Sequence, residues 1–81
     1  MQKVKSVTER KLGRYKALGL AYVDSGEIHI DERLKGYEHL YVLIHEVLHI
    51  QNPKWSEAKV TGHASELAKI IFENNYRKII I

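Results

Sequence analysis

The chain has 81 residues, 44% hydrophobic and 28% charged, with 13 lysines and arginines against 10 acidic residues, and no cysteine. That composition excludes a disulfide scaffold, a thiolate metal site and a cysteine nucleophile, and it argues against global disorder. It allows one domain, 1–81, whose small core would gain from a bound metal or partner.

The net charge of +3 is unevenly distributed, because Lys3, Lys5, Arg10, Lys11, Arg14 and Lys16 crowd the start of the chain. Such a cluster steers a protein toward nucleic acid or another acidic surface. No aromatic residue interleaves with it before Tyr15, so residues 1–14 read first as a basic arm or short strand around Val4 to Val7, with nucleic acid as a second reading. No apolar run follows the basic residues as in a secretory signal, and no stretch is long enough to span a bilayer. A cytoplasmic protein with no membrane association is the expectation.

From Tyr15 to Asp31 the spacing predicts a hairpin. Leu18, Leu20 and Tyr22 alternate with smaller residues, Asp24-Ser25-Gly26 forms a turn cluster, and Ile28 and Ile30 alternate with Glu27, His29 and Asp31. Lys35-Gly36 breaks that period. Leu40, Leu43, Ile44, Val47, Leu48 and Ile50 then recur at helical spacing from Tyr37 to about Gln51, where Asn52-Pro53 stops the helix. Ser56 is a suitable N-cap for a second helix to about Asn75. Its stripe of Val60, Ala64, Leu67 and Ile71, flanked by Thr61 and Ala68, is expected to pack on the first helix. Ile79-Ile80-Ile81 is expected to dock on the core. The order is that of an α+β domain: an N-terminal hairpin or small antiparallel sheet, then two packed helices.

The first helix contains His45-Glu46-Val47-Leu48-His49, an H-E-x-x-H string. On a helix the two histidines stand one turn apart on one face, so both imidazoles can reach one ion. Glu46, beside them, can take a proton from an activated water and pass it to a leaving amine. The string lies inside a helix whose other positions are apolar, the context its chemistry requires.

A catalytic zinc usually takes three protein ligands and leaves one position for water. Glu57 falls within the arc of the second helix's apolar stripe, while Glu66 and Glu73 fall on the opposite side. A carboxylate on a buried stripe is costly unless paired or metal-bound, and Glu57 follows the turn that leads back from His49. Glu57 is therefore the expected third ligand. His63, near the edge of the same stripe, is its rival.

These residues resemble those of the zincin metallopeptidases, in particular minimal gluzincin-like members from phages and bacteria. The likeness runs over about residues 15–75: Glu27-Ile28-His29-Ile30-Asp31, then His45 to His49, then Pro53 and Ser56-Glu57-Ala58-Lys59-Val60. It implies a hairpin before the motif helix, zinc on His45, His49 and Glu57, and Glu46 as general base. The larger gluzincins carry their third glutamate much further along, and the second subdomain that walls their cleft is missing. The SprT-like group, next nearest, uses a third histidine, and Gly62-His63 is similar to its Gly-His step.

A peptidase also needs a donor for the developing oxyanion, and Tyr37, Tyr41 and Tyr76 are available, with Tyr41 one turn before His45. His29 is expected to face solvent, or to meet substrate if its strand is the sheet edge to which a peptide adds. His39 is expected on the surface, and Trp55 to staple the interhelix turn. The expected function is a zinc-dependent hydrolase acting on a peptide or protein substrate. The alternative is a non-catalytic metal-binding regulatory or interaction module. Histidine and carboxylate ligands suit several first-row ions besides zinc.

Overall fold

The computed structural model describes residues 2–13 and 17–74. The expectations for Arg14, Tyr15 and Lys16, for Asn75 and Tyr76, and for docking of Ile79–Ile81 lie outside the described residues. The elements are β1 (Ser6–Arg10), β2 (Gly19–Tyr22), β3 (Glu27–Asp31), α1 (Gly36–Gln51) and α2 (Glu57–Glu73). This is the α+β order expected, a small sheet followed by two helices.

The hairpin forms as predicted, with β2 antiparallel to β3 and Gly19, Leu20, Ala21 and Tyr22 opposite Ile30, His29, Ile28 and Glu27. Its turn depends on Gly26, whose φ of 77° lies in the left-handed region. A β-carbon there would also stand 2.7 Å from the Lys3 carbonyl oxygen. That close approach lets the Lys5 N–H donate to the Gly26 carbonyl at 2.8 Å, which draws the N-terminal segment alongside the hairpin.

Two expectations change here. The N-terminal segment is a strand, two residues later than expected, and it pairs in parallel with β3 from Ser6↔Glu27 to Arg10↔Asp31. The sheet order is therefore β1-β3-β2; the sheet is mixed rather than antiparallel. His29 lies on the central strand, and the sheet edges are β1 and β2, so a peptide cannot add beside His29. Hydrophobic periodicity could not reveal this, because every residue of β1 is exposed and backbone pairing leaves no trace in an apolar pattern.

Ile28 and Ile30 turn inward, fully buried, and meet Val42 and Ile50 of α1 with Ala21, Leu34 and Val47 around them. Another side of α1 presents Leu48 to Val60 and Ala64 of α2, closed by Tyr41, Ile44 and Trp55. Ser56 caps α2 by accepting from the Lys59 N–H at 3.1 Å, as predicted. The buried stripe of α2 is narrower than expected, consisting of Val60, Ala64 and Ala68, while Leu67 is 40% exposed. Small residues at successive turns let α2 approach α1 closely and leave Leu67 on the flank.

Asp31 ends β3 as a fully buried carboxylate. Its Oδ1 accepts from Arg33 Nε and from the Arg33 backbone N–H, both at 2.9 Å, and its Oδ2 accepts from Arg33 Nη2 at 2.8 Å. The Arg33 side-chain bonds hold this carboxyl well below the usual carboxylate range, and the backbone bond adds to them. Burial works in the opposite direction and is outweighed. A folded-state value below the unfolded one gives stability that is present above the unfolded pKa and lost as pH falls toward the folded value. Asp31→Asn is therefore expected to lower the urea midpoint at pH 7. The gap to wild type should shrink as pH drops below about 4, the ordinary aspartate value.

Candidate metal centre

His45 and His49 come from one face of α1, and Glu57 is the first residue of α2. The Asn52 N–H donates to the Leu48 carbonyl at 2.9 Å as α1 ends, and the Trp55 N–H donates to the Asn52 carbonyl at 3.0 Å to tighten the connection. With the Ser56 cap, these contacts set where α2 begins and so where Glu57 stands. Its carboxylate faces both rings: Oε2 lies 3.0 Å from His45 Nε2, and Oε1 lies 2.8 Å from His49 Nε2. The ligand atoms of the three residues lie within 4.8 Å of one another, the one such grouping that includes these histidines among the described residues.

This is the trio expected from the sequence, assembled for a different reason. Glu57 does not lie on the buried stripe; its side chain is 68% exposed, against 13% for His45 and 26% for His49. The start of the helix, rather than burial, aims the carboxylate. The rival ligand takes no part. His63 is exposed and tilts against Trp55, ring centroids 4.7 Å apart. Trp55 itself packs onto the Leu48–Val60–Ala64 cluster, the stapling role expected of it.

Glu46 lies beside the trio without joining it. It is buried, with Oε2 3.5 Å from His45 Nδ1. Its neighbour across the gap is Gly19 of β2, where a β-carbon would stand 2.9 Å from Glu46 Cγ and 2.7 Å from Val42 Cγ1. Burial raises the Glu46 pKa, and the positive charge of His45 and His49 offsets this only in part. Such a carboxyl takes up a proton more readily than a free glutamate. The Glu57 carboxyl goes the other way. Desolvation raises its pKa, but the charge of His45 and the hydrogen bond and charge of His49 prevail and lower it.

The sequence marks Thr61 only as a neighbour of the apolar stripe. Its hydroxyl donates to Glu57 Oε2 at 3.5 Å and lies 3.4 Å from His45 Nε2, so it braces two members of the trio. The available signal was a polar residue one helical turn after Glu57 on the face toward α1. Tyr41 lines the site, its ring 5.7 Å from that of His45, and stacks on Tyr37. His29 points away from the core, on the face expected of it, but is largely covered there. Its side chain is 15% exposed and meets the Tyr22 ring edge-on at 5.0 Å, on the sheet face away from the helices. His39 is only 30% exposed and lies 3.3 Å from Glu9 of β1.

No protein-family model, curated protein or solved structure matches the chain. Among the described residues, no helix is long and apolar enough to cross a membrane.

Two imidazoles and a carboxylate converging with an open side fit a divalent first-row ion with room for a further ligand. An ion held by the three residues would take the place of both His–Glu57 hydrogen bonds. Protein prepared without chelator or histidine tag is expected to take up about one zinc per chain by mass spectrometry. Glu57→Ala should weaken uptake at least about tenfold, and His63→Ala should leave it unchanged. Equal losses in both variants would overturn the ligand assignment.

Proposed function

We propose that the protein is a minimal gluzincin-like zincin, a zinc-dependent hydrolase that cleaves peptide bonds. The observation that carries this reading is the separation of roles within H-E-x-x-H. His45 and His49 turn to Glu57, while Glu46, which a purely structural metal site would not need, is buried beside them against β2. A divalent ion at the trio would polarise a scissile carbonyl and acidify a water. Glu46 accepts the proton of the attacking water and returns it to the leaving amine nitrogen, so its carboxyl ends the cycle as it began. β2 is an edge strand beside this glutamate, and its open backbone groups suit an extended peptide added by main-chain hydrogen bonds.

One observation favours a second reading, a metal-binding regulatory or interaction module that cleaves nothing. The site is shallow, with Glu57 68% exposed, and such a site excludes water poorly.

Turnover of an unfolded protein substrate separates the two. Glu46→Gln is expected to lower it by about 100-fold or more while zinc content stays at the wild-type level. No turnover by the zinc-loaded wild type across a library of unfolded proteins and peptides would leave the binding module. Gly19→Ala supplies an independent check, because its methyl group must displace Glu46 or Val42. Zinc binding should persist, and turnover should fall about tenfold or more for a displacement of this size.

A further inference from the structure

The sheet has a second face, turned away from both helices. Ile28 and Ile30 point to the core, so the alternation of β3 sends Glu27, His29 and Asp31 outward. The partners of these residues on β1 are Ser6, Thr8 and Arg10, and on β2 Tyr22 pairs with Glu27 and Leu20 with His29. Neither helix covers this face. An open cavity of about 920 Å³ lies on it, lined by Arg10, Lys11, Tyr22, His29, Glu32 and Arg33 among others.

The charges do not cancel. Arg33 is engaged by the buried Asp31 carboxylate at 2.8 Å. Arg10 and Lys11 are exposed; among the described residues Glu32 is the one carboxylate that lines the cavity with them, and Glu27 on the same face lies 3.8 Å from His29 Nε2. Tyr22 is 43% exposed, and its ring is propped by the edge-on His29 ring at 5.0 Å. The basic segment therefore does have an aromatic partner, but it comes from β2 and β3 rather than from the segment's own sequence. Arg10 ends β1 on this face and Lys11 follows it, so the two free cations lie together at one end of the cavity.

We propose that the outer face of the sheet, from Arg10 and Lys11 to the Tyr22–His29 pair, binds single-stranded nucleic acid. Free cations and an accessible aromatic ring lining one open cavity are the combination that recognises an extended polymer of phosphates and unstacked bases. A duplex keeps its bases stacked inside and has no use for the Tyr22 ring. An acidic peptide would use the cations alone. The site is separate from the metal centre, so this inference stands or falls independently of the hydrolase reading.

The test is fluorescence anisotropy of a labelled oligothymidylate of about ten nucleotides, titrated with the full chain over a salt series. Saturable binding is expected, weakening linearly on logarithmic axes. Arg10→Ala and Lys11→Ala should each reduce the salt slope by about 0.7. Tyr22→Ala should lower affinity on the order of tenfold with the slope unchanged, while Tyr22→Trp restores it. Circular dichroism of each variant should match wild type, and Lys54→Ala, outside the cavity, should bind as wild type does. No binding at low salt would overturn the proposal. So would equal affinity for a duplex or a polyglutamate peptide, an unaffected Tyr22→Ala protein, or a loss in Lys54→Ala as large as in Lys11→Ala.

Discussion

The close packing of α2 on α1 is the contact on which the rest of this small molecule depends. Val60, Ala64 and Ala68 have no exposed surface, and two of these are alanines, so the helix backbones approach without a long side chain between them. That approach brings the first residue of α2 within hydrogen-bond distance of two rings on α1. A shift of α2 by one residue would turn Glu57 by about 100° and carry it away from both histidines. The Ser56 cap and the Trp55 contact therefore act on the site as much as on stability, because they determine which residue begins the helix.

α1 carries three different loads around its circumference. Val42 and Ile50 face the sheet, Leu48 faces α2, and Glu46 faces the gap against Gly19 of β2. His45 and His49 occupy the remaining sector, partly open to solvent. The division matters for the proposed chemistry: groups suited to an ion lie outside, and the carboxyl suited to moving a proton lies in a drier place where burial raises its pKa. The sheet is divided in a similar way. Its inner face is aliphatic and sealed, while its outer face is polar, basic and aromatic. Two surfaces with separate chemistry thus stand on opposite sides of one thin layer, and neither needs the other to form.

The corrections share a physical origin. β1 was legible as a basic arm or short strand but its partner and parallel direction were not, because all its residues are exposed and its order comes from backbone pairing with β3, which any polar sequence can make. Placing β1 there makes β3 central and leaves β2 as the free edge next to the site. Leu67 and Ala68 traded roles for a related reason. A helical wheel ranks residues by direction, whereas the distance between two helices is set by the smallest residues that fit between them. Thr61 was visible as a polar residue on the face toward α1, yet its value depends on where Glu57 ends up.

Taken alone, the sequence determined what is local. The hairpin, both helices, the Ser56 cap and the side-by-side histidines of H-E-x-x-H follow from periods of two and 3.6 and from turn chemistry acting over a few residues. It also narrowed the residue that could join the two histidines to Glu57 or His63, since both lie near the face toward α1. Only the tertiary structure chose Glu57, at 2.8 and 3.0 Å from the two rings, and sent His63 to Trp55. It also decided the strand order, the burial of Glu46 against Gly19, and the placing of Arg10 and Tyr22 on one face of the sheet. These depend on how closely and in what register separate elements approach, which is set by packing across the fold rather than by spacing along the chain.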